Sequence, residues 1–403
     1  MKVEVKRHPV RVPGFRFAGV ACGLKESGRR DVALIVSDRP ATAVGAFTTN
    51  RVKAAPVVLG QERLRRGRVQ AILVNSGNAN AYTGRDGLAV AREMTALAAE
   101  RLGIADARLV VPSSTGRIGV PVPRAKLRRG VEAAIERLSP DGFHEALDGI
   151  MTTDAFPKFA TRRLTLDGRP VTIAVLAKGA GMIAPHMATL LVYVLTDANV
   201  ARPALRRILN DALPRSFNAI VVDGDMSTND TVLLLANGAA GNRLLTPRSR
   251  AFAGFAAVIA ELMRGVARMV VTDGEGATRV IDIVVRGGRT AADAARVADT
   301  IARSPLCKTA FYGGDPYAGR IVCAAGYSGA RFDPARLDVH LDDVPIVRRG
   351  VEVVRDHERR ANKAAKRSAF TLTLDLHAGR ARAERMVSDL TVDYVRFNSD
   401  YRT

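Results

Sequence analysis

The chain has 403 residues, 47% of them hydrophobic and 25% charged, a mixture that excludes a disordered chain and leaves room for two or more core-forming units. A formal net charge of +21 raises nucleic acid as a partner, but the arginines are scattered as singles and short pairs with no basic tail. Trp is absent and aromatics make up 5%, so platforms for stacking bases are scarce. No run of eighteen apolar residues occurs and the N-terminus lacks the apolar core of a signal peptide, so a soluble, cytoplasmic protein with no membrane contact is expected.

In chain order, residues 31–47 read as two strands around a turn at Asp38-Arg-Pro, and the apolar run from Ala71 as a buried strand ending in the small polar loop Asn75-Ser-Gly-Asn-Ala-Asn. Residues 86–102 carry Leu88, Met94, Leu97, Ala98 and Leu102 at helical spacing. A strand over 109–112 enters Ser113-Ser-Thr-Gly-Arg-Ile-Gly, and a helix over 127–138 closes at Ser139-Pro-Asp-Gly. Residues 164–176 form a hairpin turning at Asp167-Gly. It leads into a loop with two glycines and a proline, Lys178-Gly-Ala-Gly-Met-Ile-Ala-Pro-His-Met-Ala-Thr, and then a strand over 190–195. A helix is expected over 202–213, strands over 219–222 and 233–238, and a long apolar core helix over 252–272. Beyond it come a strand over 280–286, a helix over 290–302 and a strand over 320–326. The last hundred residues read as short strands and turns, including a strand over 392–397. The pattern is that of a mixed α/β (α+β) protein of layered sheets and helices.

Cys22, Cys307 and Cys323 are an odd number without Cys-x-x-Cys spacing, and are expected as buried free thiols. The histidines show no ligand spacing, so no metal is expected, and Asp223 with Asp225 lacks the further ligands a metal site needs. No Gly-rich dinucleotide or phosphate-loop motif is present, so no nucleotide cofactor is expected.

Chemistry concentrates around the loop before Thr189. Were the bond between Ala188 and Thr189 cut, Thr189 would carry a free amine beside its own hydroxyl. An α-amino group titrates near pH ~8 and can serve as a general base at neutral pH. Gly116, in a turn after Thr115, can present a bare backbone N–H to a developing oxyanion, or the turn can be purely structural. Met151-Thr-Thr-Asp is equally a helix N-cap sequence. Glycines flanking Glu275 in Thr272-Asp-Gly-Glu-Gly allow close approach of that carboxylate to a ligand, or a plain solvated turn.

Taken together these motifs, with Phe217-Asn-Ala-Ile-Val-Val-Asp-Gly-Asp-Met-Ser-Thr-Asn-Asp-Thr and the C-terminal Tyr394-Val-Arg-Phe-Asn-Ser-Asp-Tyr-Arg-Thr, resemble the ornithine acetyltransferase (bifunctional glutamate N-acetyltransferase) family over nearly the whole chain. The resemblance implies an N-terminal-nucleophile-like acetyltransferase fold and self-cleavage between Ala188 and Thr189 into chains 1–188 and 189–403, assembled as a heterotetramer of two copies of each. It implies Thr189 as nucleophile, Thr115 and Gly116 as oxyanion hole, and Thr152, Lys178, Thr189, Glu275, Asn398 and Thr403 as substrate-binding residues. The implied reaction moves acetyl from N-acetylornithine to glutamate in cyclic arginine biosynthesis. Acetyl-CoA is a second donor in bifunctional members and no resident cofactor is expected. Tyr317-Ala318 replaces the family's Asn-Trp, and Met386-Val-Ser-Asp-Leu lacks its Trp-Thr-Cys. A paralogue acting on another N-acylated amine, or an amidohydrolase or aminopeptidase of the same nucleophile type, would share much of this pattern. A basic nucleic-acid-binding protein is favoured by the charge alone.

Overall fold

A computed structural model describes residues 7–184, 190–316 and 318–400, with the side chain of Asp356 excepted. Strand Leu191–Thr196 accounts for its own unbroken apolar sequence. Val192 and Val194 enter one core with Ile173 and Val175, while Leu191, Tyr193 and Leu195 enter another on the opposite face with Ala174 and Leu176. A strand covered on both faces gains nothing from polar alternation.

That strand lies inside an eight-stranded mixed sheet. Its order runs Val110–Arg117, Arg68–Asn78, Val32–Phe47, Thr231–Ala236, Leu191–Thr196, Arg169–Lys178, Lys158–Leu166, with Phe15–Val20 paired to Val32–Phe47. Strands from before residue 185 flank strands from after residue 189, so the two halves of the chain share one hydrogen-bonded sheet. A seven-stranded sheet follows, ordered Val351–Glu352, Val344–Arg348, Asp338–Leu341, Ala369–Asp375, Val280–Gly288, Ala381–Ser388, Ile220–Val221. Helix Phe252–Thr272 connects them. Phe255, Ile259, Leu262, Met263, Val266 and Val270 recur at helical spacing on its buried face, and the helix packs on Lys158–Leu166 and Arg169–Lys178 of the first sheet and on Ala381–Ser388 of the second. Its C-terminal end delivers Asp273, Gly274 and Glu275 to the junction between the sheets.

Several expectations are corrected. Residues 32–47 are one strand, Val32–Phe47, whose register shifts between Val36 and Ala41, so the Asp38-Arg-Pro step is absorbed as an irregularity. Gly319–Gly326 is a helix with Ile321, Ala324 and Ala325 buried at positions i, i+3 and i+4, a spacing a short apolar run conceals. Val392–Asp400 is likewise a helix. Thr391 Oγ1 accepts from the backbone N–H of Tyr394 at 3.1 Å, so Thr391 is the N-cap that strand-like alternation hid. Helices Pro305–Gly313 and Val354–Ala365 also occupy the region read as short strands, and Ala55–Leu64 and Phe143–Ile150 add two more to the first half. Cys307 is buried, but Cys22 is only partly so and Cys323 is exposed; all three thiols are free. Among the described residues no helix is long and apolar enough to cross a membrane, and no group of His, Cys, Asp or Glu is placed to hold a metal ion.

Candidate active site

The Thr115-Gly116 step is the bulged end of strand Val110–Arg117, where a free turn was expected. Gly116 has φ +127°, and a Cβ there would lie 2.4 Å from the carbonyl carbon of Gly77 and 2.6 Å from the nitrogen of Asn78, so only glycine fits. Asparagines from two segments fix this end. Ser114 Oγ donates to Asn75 Oδ1 at 2.6 Å, Asn75 Nδ2 donates to the Asn78 carbonyl at 2.8 Å, and Asn229 Nδ2 donates to the carbonyls of Ser114 (2.8 Å) and Ala79 (2.6 Å). Thr115 is thereby held with its Oγ1 accepting from Lys178 Nζ at 3.1 Å, both side chains buried.

Buried aspartates pin the backbone on both sides of residues 185–189. Asp154 Oδ1 accepts from Gly179 N–H (2.7 Å) and Lys158 Nζ (2.6 Å), and its Oδ2 from Thr152 N–H (2.8 Å). Lys158 also donates to Asp273 Oδ2 at 2.5 Å, completing a buried triad. Asp223 accepts from Met182 N–H (2.5 Å) and Ile183 N–H (2.8 Å), holding Met182 at φ +58°, which costs a non-glycine residue about 1–2 kcal/mol. On the far side Asp230 Oδ1 accepts from Leu190 N–H at 3.0 Å. The N-cap alternative for Met151-Thr-Thr-Asp falls away: the segment follows helix Phe143–Ile150 and caps no helix, and the Asp154 carboxylate ties two loop amides instead.

Burial sets the electrostatics. It would push the Asp154 carboxyl up, but Lys158, Lys178 and the Gly179 amide hold it below the usual carboxylate range. Burial pushes the Lys178 ammonium down, opposed by Asp154, Glu275 and Asp230. Asp230 is driven well above the ordinary carboxylate range by burial, and burial raises Asp223 to about 6 against its amide hydrogen bonds.

Glu275 comes from the end of helix Phe252–Thr272 and is anchored by its N–H donating to the Ala180 carbonyl at 3.0 Å. Its carboxylate rests against Gly181, where a Cβ would sit 2.3 Å from Oε2. Asn398, on helix Val392–Asp400, donates from Nδ2 to the same Oε2 at 3.1 Å and to the Tyr394 carbonyl at 3.1 Å. Burial keeps the neighbouring Tyr394 phenol protonated, with Asp223, Glu275 and Asp225 pushing the same way.

These segments enclose a cavity of about 350 Å³ whose lining includes Thr115, Gly116, Thr152, Lys178, Glu275 and Asn398. Six of the sequence-derived site residues, from five separate stretches of chain, thus meet at one space. Ala188, Thr189 and Thr403 lie outside the described residues, as do His186 and Tyr317. Asp223, Asp225 and Tyr394 also line the cavity, although sequence reasoning left Asp223 and Asp225 as scaffold; their nearness to Lys178 depends on the fold and carries no local signal.

A model described as the ArgJ family matches residues 16–403. The arginine biosynthesis bifunctional protein ArgJ of Geobacter sulfurreducens is 48% identical over 394 residues, covering 98% of this chain and 100% of that protein. Its namesake from Symbiobacterium thermophilum is 48% identical over 392 residues, covering 97% of each. The crystal structure of the Bacillus halodurans arginine biosynthesis bifunctional protein ArgJ is 35% identical with a TM-score of 0.50, covering 52% of this chain and 98% of that one.

Proposed function

This chain belongs to the ArgJ family, acetyltransferases of arginine biosynthesis, and we propose that it carries acetyl from N-acetylornithine to glutamate on Thr189. Thr189 Oγ attacks the acetyl carbonyl while its own α-amine takes the hydroxyl proton. The amide C–N bond then breaks, the departing nitrogen receives that proton, and ornithine leaves an acetyl ester behind. The amine of glutamate attacks the ester and Thr189 is regenerated. Acetyl-CoA, the second donor that the resemblance implies for bifunctional members, charges the same hydroxyl.

The convergence of Thr115, Gly116, Thr152, Lys178, Glu275 and Asn398 on one cavity carries this reading. Because Thr115 Oγ1 accepts from Lys178, its hydroxyl hydrogen is turned away from that ammonium and is free to donate to the oxyanion beside the Gly116 N–H. Lys178 and the Glu275–Asn398 pair offer a cation and a mixed donor–acceptor edge to an amino acid's carboxylate and amine.

Self-cleavage between Ala188 and Thr189 supplies the amine. Asp223 and Asp230 tether the two flanks of the scissile segment, and the shared sheet would keep chains 1–188 and 189–403 together after the cut. The family resemblance implies two of each in the assembly. Denaturing electrophoresis with N-terminal sequencing should find a fragment beginning at Thr189. Its intact mass should rise by one acetyl on mixing with N-acetylornithine and fall again on adding glutamate. Steady release of acetate with no transfer would identify an amidohydrolase instead, and an active protein that stays one chain would overturn the mechanism.

A further inference from the structure

Beside the active-site cavity lies a second one of about 370 Å³, and the two share Thr152 and Thr153 as a common wall. Its rim is the loop from Cys22 to Lys25, which is built around one carboxylate: Asp31 accepts from the backbone N–H groups of Cys22 (2.7 Å), Gly23 (3.0 Å), Leu24 (2.7 Å) and Lys25 (3.1 Å). The Lys25 stem packs beside Gly77, whose Cα would carry a Cβ only 3.1 Å from Lys25 Cγ, so the side chain has a fixed course. Lys25 Nζ donates to the Arg30 carbonyl at 2.5 Å and Arg29 to the Thr152 carbonyl at 2.7 Å. Among the described residues neither cation forms an ion pair, whereas Arg117, the third cation of this cavity, is paired with Glu26 at 3.1 Å.

The two cavities therefore differ in sign. The active-site cavity sets Asp223, Asp225 and Glu275 against Lys178, while the annex presents two cations without an ion-pair partner among the described residues. Burial pushes the Lys25 ammonium down to about 8, with Arg29 and Lys178 adding to the push and Asp31 and Asp154 opposing it, and an anion arriving at the ammonium would relieve the cost of its burial. The two amino acids of the proposed reaction differ in the same way: one side chain ends in an ammonium, the other in a carboxylate.

We propose that the annex is an anion subsite whose Lys25 receives the side-chain carboxylate of glutamate through the Thr152–Thr153 wall, and that Asp225 on the acidic wall receives the side-chain ammonium of ornithine. One nucleophile then serves substrates of opposite charge by sending their side chains to opposite walls. This rests on the acetyl-transfer reading. Asp225 is exposed and Lys25 partly so, and among the described residues no hydrogen bond joins either side chain to residues 178–184, which makes both substitutable without disturbing that loop.

The test is a pair of variants assayed by half-reaction with the processed enzyme. Lys25→Met should load acetyl from N-acetylornithine at the unaltered rate and need about tenfold more glutamate to discharge it, the loss expected for one charged contact. Asp225→Asn should show the converse, a raised requirement for N-acetylornithine with normal discharge by glutamate. A purely structural role for either residue would slow both halves alike, and that outcome overturns the assignment. So does a Lys25→Met enzyme whose only defect is a raised KM for acetyl-CoA, which would make the annex a phosphate site. A protein that never loads acetyl, unaltered or substituted, overturns the transfer reading itself and is recognised in the first half-reaction.

Discussion

Replacing Asp154 by Asn removes one negative charge from a triad in which Lys158 is fully buried and Asp273 nearly so. Lys158 keeps Asp273 as a partner, but the Asn amide now turns an N–H toward one of the donors that the carboxylate served, Gly179 N, Thr152 N or Lys158 Nζ. Breaking a buried pair costs about 3–5 kcal/mol, with the orphaned donor included in that range. Urea unfolding at pH 7 should therefore show a loss of about 3–5 kcal/mol. Because surrounding charges hold the Asp154 carboxyl below its unfolded value, its contribution is present above pH ~4 and is lost as pH falls further, so the penalty should shrink in acid. Combining it with Lys158→Met removes the stranded ammonium as well. The double variant should be more stable than the sum of the singles by about 2–3 kcal/mol, as expected for residues in contact. Activity should fall together with stability, since the same carboxylate orients Gly179 and Thr152 beside the cavity. Simple additivity, or a loss below about 1 kcal/mol, would refute the claim that this triad holds the loop.

Thr115→Val keeps the volume but removes both the acceptor of Lys178 and the proposed oxyanion donor, so kcat should drop about 10²–10³-fold in steady-state assays with little change in KM. Gly181→Ala should displace the Glu275 carboxylate, raising KM about tenfold or more while the melting temperature stays put. Burial raises Asp223 to about 6, so its stability contribution is full below pH ~4 and is lost as pH rises through 6; the penalty of Asp223→Asn in urea unfolding should be larger at pH 4.5 than at pH 7. Phe255→Ala, in the helix that joins the two sheets, should cost about 3–5 kcal/mol and leave the substituted enzyme's catalytic constants unchanged where it remains folded.

The sequence by itself determined the class of the protein, and its ordered motifs, through the family they resemble, nominated the candidate site. Thr115, Gly116, Thr152, Lys178 and Glu275 are each ambiguous alone and become legible only as a set, whereas the buried strand after Thr189 shows as an unbroken apolar run. What the sequence left open was every choice settled by distant partners. Whether 320–326 is helix or strand depended on the core that Ile321, Ala324 and Ala325 face, and 392–397 on the Thr391 cap, because a short apolar run fits either period. The Asp154–Lys158–Asp273 triad joins Lys158 to Asp273 across 115 positions, and Asp223 reaches back 41 and 40 residues to Met182 and Ile183. A buried carboxylate and a solvated one have the same letter in the sequence. Only the tertiary structure, by excluding water and bringing opposite charges together, decides which of them tethers the backbone and which faces the substrate.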